Sequence, residues 1–231
     1  MYESENDITI VYYTANRLHE RFLVATQARL LEAAGGAPIV SISQKPINFG
    51  TNFVYSNQEQ NTLNIYRQAL IGAKAAKTKY IGLAEDDVLY SPDHFTCYRP
   101  DPGVFAYDMN VWLIYTWVKP PIFSYKGRRN LYALICHRED FIRTMEERFA
   151  KYPDGTGFHP GHWGEPGKYE QSLGVEVNPT EEFRSGLPSI AFSHEQAVSF
   201  RDLGKRKKLG DERRTELPHW GTADAIMQLY A

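Results

Sequence analysis

A chain of 231 residues is long enough for one large α/β domain, and its formal net charge of −2 excludes a globally basic protein, so any nucleic-acid contact has to be local. Met1-Tyr2-Glu3-Ser4-Glu5 lacks the basic start and apolar core of a signal peptide, and no apolar run reaches membrane-spanning length. Cys97 and Cys136 have neither metal-ligand spacing nor the density of a disulfide scaffold, so a cytoplasmic protein with reduced thiols is expected. The 15 Tyr, 12 Phe and 4 Trp suit stacking on sugars or bases, and equally a tyrosine-rich core.

In chain order, the β-branched and aromatic run Ile8–Tyr13 predicts a first strand, with Thr14-Ala15-Asn16-Arg17 as a polar loop at its C-terminal edge. His19 to Ala34 predicts a helix with Phe22, Leu23, Leu30 and Leu31 inward, stopped by Gly35-Gly36. Pro38–Ser43 is the second strand. Ser56-Asn57-Gln58-Glu59 has capping-box spacing and opens a helix to about Lys77, with Leu63, Tyr66, Leu70 and Ala73 on one face.

The third strand, Tyr80–Ala84, is a short apolar run of the kind a buried strand needs, and it leads straight into Glu85, Asp86 and Asp87. Strand alternation would put Glu85 and Asp87 on one face and Asp86 on the other. Two carboxylates on one face repel each other unless a cation or strong donors sit between them, and a hard divalent ion holding phosphate oxygens suits that arrangement. The other reading is a solvated acidic turn, helped by Ser91-Pro92-Asp93. The order β-α-β-loop-α-β is the signature of a parallel sheet with helical crossovers. In such sheets ligands bind at the carboxyl ends of strands, where Thr14–Arg17, Gln44 and Glu85–Asp87 all fall.

The second half is less regular. Phe105–Thr116 and Leu131–Cys136 read as strands, the latter followed by a helix from about Arg138 to Tyr152. The Gly/Pro-rich stretch Pro153–Lys168 carries His159, His162 and Trp163; the two histidines are too loosely placed for a metal pair, and Trp163 offers a stacking platform. Trp112 and Trp117 read as packing residues. Ser189–His194 is a last short strand, and a basic run holds Arg201, Lys205, Arg206, Lys207, Lys208, Arg213 and Arg214. Pro218 to Ala231 is mildly amphipathic. No internal repeat and no linker divides the chain.

Residues Ala69–Asp87, a helix with small residues leading into an apolar strand that ends Glu85-Asp86-Asp87, resemble the helix-strand-acid segment of GT-A fold glycosyltransferases, where the acids are Asp-x-Asp. The first strand and its Thr14–Arg17 loop match that fold's nucleotide-binding start. The resemblance covers about residues 8–95, with Glu85 in the first acidic place. It implies a GT-A-like single α/β domain over residues 1–231: a Rossmann-like mixed sheet flanked by helices, a nucleotide-sugar-binding half of about 1–95, and an irregular acceptor-binding half of about 96–231. It also implies transfer of a hexose or pentose from a nucleotide sugar, a UDP-sugar by expectation, with Mn²⁺ or Mg²⁺ held by Asp87, Glu85 and a late histidine, His194. Thr14, Asn16, Arg17, Gln44, Glu85 and Asp86 would face the nucleotide sugar, and Arg201 and Lys205 would close over the diphosphate. An inverting reaction needs a carboxylate base; Glu170 is the first choice, Glu165 the second and Asp108 the third. The acceptor is either a saccharide or a hydroxymethylated base in DNA, with the Arg201–Arg214 segment tracking phosphates in the second case. Two other readings stand beside this one. Nucleotidyl transfer wants a Gly-rich phosphate loop that Thr14–Arg17 lacks, and a non-catalytic sugar- or nucleic-acid-binding module would leave the strand-edge acids without a task. Donor sugar, stereochemistry and oligomeric state are not legible.

Overall fold

The computed structural model describes residues 6–153, 164–198 and 209–230. The first strand, β1 (Ile8–Thr14), is buried along its whole length. Its alternate side chains divide the core. Ile8, Ile10 and Tyr12 join Leu30, Ala33 and Ala34 of helix α1 (Glu20–Ala34) on one face of the sheet. Val11 and Tyr13 join Tyr66, Ala69 and Ala73 of helix α2 (Thr62–Ala75) on the other. A period of two read against two helical stripes is what fixes a sandwich of helices around a central sheet.

Around β1 stand β2 (Ile39–Ser43), β3 (Thr51–Val54) and β4 (Tyr80–Glu85), all parallel. A two-residue strand, β5 (Val88–Leu89), follows, then β6 (Phe105–Asp108), β7 (Val111–Tyr115), β8 (Phe123–Tyr125) and β9 (Leu134–His137). The last strands are β10 (Thr180–Phe183), β11 (Ser189–Ser193), β12 (Glu212–Arg214) and the minor pair β13 (Glu216–Leu217) and β14 (Gly221–Thr222). Seven strands form one sheet in the order β10-β6-β9-β4-β1-β2-β3, with β9 antiparallel to both its neighbours. Five form a second sheet in the order β12-β8-β7-β11-β5. Helix α3 (Arg138–Lys151) packs Phe141 and Met145 beside α2. The expected α/β class, with a Rossmann-like mixed sheet flanked by helices, is therefore present.

Several local expectations change. Residues 105–116 are two strands, because Asp108 leaves the first ladder to accept the Asn110 amide at 2.8 Å and turn the chain between them. Leu131–Ala133 is a 3-10 turn ahead of β9. Strand β3 falls in the span read as loop; it is an edge strand whose Phe53 and Val54 face outward, so it lacks the apolar alternation of a half-buried strand. Leu31 lies on the exposed side of α1, 56% accessible, one residue past the inward stripe.

Helix α2 starts six residues after Ser56. Asn61 is its N-cap, accepting the Asn64 amide at 2.9 Å through Oδ1. Asn61→Ala should lower stability by about 1 kcal/mol, read as a shift of the urea midpoint with unchanged slope. Gly72 lets α2 touch the sheet, since a Cβ there would stand 2.3 Å from Val11 Cγ1. Gly72→Ala gains up to about 1 kcal/mol of helix propensity, but the overlap with a buried strand costs about 1–3 kcal/mol. Net destabilisation in the same urea titration is the expected result.

Candidate functional site

Strand β4 pairs with β1 in parallel register up to Tyr13 opposite Glu85. There regular pairing ends, and Asp86-Asp87 form a turn that hands the chain to β5 in the second sheet. The turn breaks strand alternation, so Glu85, Asp86 and Asp87 all border one cavity instead of pointing to opposite faces. Each is held by a different neighbour. Glu85 Oε1 accepts from Tyr13 Oη at 3.0 Å. Its amide donates to Tyr90 Oη at 3.0 Å, and that hydroxyl donates to the Tyr132 carbonyl at 3.1 Å. Asp86 Oδ2 accepts from Thr14 Oγ1. Asp87 Oδ2 lies 3.2 Å from His194 Nε2 at the end of β11, and the Asp87 carbonyl accepts from the Phe192 amide at 2.8 Å.

The electrostatics follow from this crowding. Burial, then Asp87, hold the Glu85 carboxyl well above the usual carboxylate range, with Tyr13 pulling the other way and Asp86 and Glu165 adding to the rise. Burial, then Asp87, push Asp86 up to about 7, against the pull of Thr14 and His194. The cluster is short of positive charge.

Among the described residues, no group of three His, Cys, Asp or Glu side chains is arranged as a metal cage. The donor set fits a different mode, in which a divalent cation is held by one or two carboxylates while phosphate oxygens and water complete its shell. Asp87 Oδ1 is buried and makes no hydrogen bond among the described residues, which leaves lone pairs for such a cation. His194, expected as a third ligand, borders the same cavity with its Nε2 3.2 Å from Asp87 Oδ2.

The cavity measures about 620 Å³ and opens at the carboxyl ends of β1, β2 and β4. Thr14, Arg17, Gln44 and Glu165 border it, with the acidic turn. Asn16 does not. It adopts φ 54°, a left-handed conformation that asparagine tolerates better than most residues, and its Oδ1 accepts from the Gln44 and Lys45 amides at 2.8 and 3.0 Å. Its side chain ties the first loop to the end of β2 and has no acceptor left for a nucleotide.

Glu170 is likewise outside the lining. Its carboxylate is 1% accessible, paired with Arg148 at 2.6 Å and accepting from the Gly167 amide at 2.6 Å and the Tyr169 amide at 3.2 Å. A carboxylate so enclosed cannot reach an acceptor hydroxyl, so its place in the fold is that of a structural ion. Asp108 is fully buried against His94 Nδ1 at 2.9 Å, away from the cavity. Arg201, Lys205, His159, His162 and Trp163 lie outside the described residues. Trp112 and Trp117 pack in the cores, as do the buried Tyr12, Tyr90, Tyr107 and Tyr115, which absorb much of the aromatic excess.

Sequence reasoning missed Gln68, Arg128, Tyr132 and Lys168 on the cavity wall. Gln68 carried a signal. It follows Asn64 by four residues on the inward face of α2, and its Nε2 donates to the Thr14 and Ile42 carbonyls at 3.1 and 3.3 Å. A buried amide on an otherwise apolar stripe marks carbonyls that strand pairing leaves over. Arg128 carried none, since its approach depends on how β8 is placed.

The chain matches no protein-family model and no curated protein sequence. Among solved structures it is similar to a glycosyltransferase involved in glycosylation of the major capsid of PBCV-1, at 13% identity over 64% of this chain and 68% of that one, TM-score 0.39. It is similar to residues 1–349 of S. aureus TarS at 9% identity over 80% and 60%, TM-score 0.44. It is also similar to the mannosyltransferase PcManGT from Pyrobaculum calidifontis, in complex with GDP-Man and Mn2+, at 11% identity over 81% and 56%, TM-score 0.42. The chain thus spans little more than half the length of the last two. Scores this low leave the functional argument to the residues themselves.

Proposed function

We propose that the protein is a divalent-cation-dependent glycosyltransferase that moves a sugar from a nucleotide-sugar donor, a UDP-sugar, to a hydroxyl acceptor, either a saccharide or a hydroxymethylated base in DNA. The observation that carries this reading is the turn at Asp86-Asp87. It sets three carboxylates on the wall of a ligand-sized cavity at the strand ends and leaves Asp87 Oδ1 buried and without a partner among the described residues.

Asp87, with Glu85 beside it, would hold Mn²⁺ or Mg²⁺ against the donor's diphosphate. When bound, that cation supplies positive charge to the leaving phosphate oxygens. Tyr13 and Thr14 keep Glu85 and Asp86 in place, so that little reorganisation is needed as charge develops. Arg17 and Gln44 border the first-loop end of the cavity, where the nucleotide would lie. Glu165 is the carboxylate on the wall that would take the acceptor's proton. Its side chain is 21% accessible, with Lys168 Nζ at 3.9 Å, so it has both access and room to move.

Thermal unfolding with UDP, GDP, CDP and ADP, each with and without Mn²⁺, tests the donor half of the proposal. A ligand at a hundredfold excess over its Kd stabilises by about 2.7 kcal/mol, enough to be read in a small-volume scan. A manganese-dependent shift with UDP is the expected result. The absence of a shift with any of the four would overturn the reading. For the acceptor, retention on duplex DNA that falls steeply with salt would select the base over the saccharide.

A further inference from the structure

Beside the cavity lies a second charged cluster that the donor chemistry does not use. Arg128 stands on the cavity wall, while Lys126 and Tyr115 lie beyond it. The Lys126 ammonium is 5.6 Å from the centroid of the Tyr115 ring, and Trp117 packs edge-on against the same ring at 5.4 Å. Arg128 follows Lys126 by two residues in the chain, and after burial its charge lowers Lys126 below the usual lysine range and opposes the rise of Tyr115.

Neighbouring arginines on this flank are already used. Arg129 pairs with Glu182 at 3.1 Å, Arg214 with Glu212 at 2.7 Å, and Arg184 donates to Tyr125 Oη at 2.7 Å. Lys126 and Arg128 differ, because among the described residues neither forms an ion pair. Two cations held together without an acid are repulsive, and the arrangement is relieved when an anion joins them. The third member of the cluster points the same way. Tyr115 is 1% accessible, and its hydroxyl is buried with no hydrogen-bond partner among the described residues. An unsatisfied buried O–H is a standing cost that an oxygen anion would remove.

We propose that Arg128, Lys126 and Tyr115 form an anion site at the edge of the cavity, and that the acceptor is a saccharide carrying a phosphate group. The assignment to an acceptor rests on the glycosyltransferase reading above; the anion site itself does not. Phosphate suits the cluster because its two negative charges balance the two cations, its oxygens match the guanidinium fork, and one oxygen remains for the tyrosine hydroxyl. A point site of this kind differs from a track along a nucleic-acid backbone. Among the described residues the flank beside it is of mixed charge, with Glu212 next to Arg213 and Arg214 on β12 and Glu181 and Glu182 exposed on β10, so it offers no continuous basic path for a duplex.

The test uses the full chain, with hexose 6-phosphate, the unphosphorylated hexose and inorganic phosphate as probes in calorimetric binding. Wild type should hold the hexose phosphate at least tenfold more tightly than the hexose. In Lys126→Met/Arg128→Met that preference should vanish, and in Tyr115→Phe, a milder change that keeps the packed ring, it should fall several-fold. UDP with Mn²⁺ is measured on the same proteins as a control, and its affinity should be unchanged in Tyr115→Phe, whose side chain lies beyond the cavity. No preference for the phosphorylated hexose in wild type, with no binding of inorganic phosphate, overturns the site. Loss of UDP binding in the double variant would give these residues to the donor's diphosphate and overturn the acceptor assignment. Salt-sensitive retention of duplex DNA that the double variant loses would overturn it in favour of nucleic acid. If wild type binds the phosphorylated probe but never UDP, the anion site stands and the glycosyltransferase reading falls.

Discussion

Asp87→Asn is expected to abolish turnover and to remove the manganese-dependent part of nucleotide binding, while the protein stays folded. The amide keeps the shape of the carboxylate, and its oxygen can still accept from His194, which faces the position at 3.2 Å. What disappears is a negative charge with an oxygen that no neighbour among the described residues satisfies. Loss of a preorganised charge at a reacting centre costs about 10²–10³ in rate where it has been isolated, and loss of the cation with it would take the activity further down. The same substitution relieves Glu85 and Asp86, both of which Asp87 holds up after burial. The ligand-free variant should therefore melt at the same temperature as wild type or above it. A melting scan with and without UDP and Mn²⁺ separates the two effects. A preserved manganese-dependent shift would remove Asp87 from the metal site, and a variant that unfolds outright would make the residue structural.

Arg148→Met should destabilise the protein by about 3–5 kcal/mol, a large share of the 5–15 kcal/mol that holds a typical domain together. Arg148 and Glu170 are 0% and 1% accessible and 2.6 Å apart, and the arginine also donates to the Gly164 carbonyl at 2.8 Å. Removing the guanidinium alone leaves a carboxylate in the interior without its countercharge. Replacing both ions, as Arg148→Met/Glu170→Leu, should recover part of the loss, because an apolar pair of similar volume avoids the desolvation of two charges. Recovery stays incomplete, since the Gly167 and Tyr169 amides both lose the Glu170 acceptor. Urea midpoints of the two variants and wild type provide the comparison. Equal stability of single and double variants would show that the pair contributes only through Arg148. The consequence reaches the cavity, because the ion pair ties α3 to the segment from Gly164 to Glu170, which carries Glu165 and Lys168 on the wall.

The first half of the fold was legible because its signals are local. The β-branched run at Ile8–Tyr13, the glycines that close α1, and the apolar approach from Tyr80 to Ala84 each specify an element from within a few residues. Their order then constrains the handedness and direction of the sheet. The acidic strand end was legible for the same reason, since a buried strand and three adjacent carboxylates are contiguous in the chain. Arg128, Lys168 and the Glu170–Arg148 pair were not. Arg128 and Lys168 reach the cavity wall through the packing of their segments, and Glu170 meets its countercharge 22 residues away in Arg148; His194, 107 residues from Asp87, was set beside it only by the family resemblance. No spacing rule reaches across such distances. Asn16 shows the same limit at short range, where a polar residue in a promising loop proved to be the one that shapes the loop. By itself, then, the sequence determined the class of fold and the strand end at which a ligand would meet carboxylates, because local propensity and burial pattern decide those. The tertiary structure alone decided which carboxylates stay open to the cavity and which are enclosed by a countercharge, because burial and pairing belong to the packed chain as a whole.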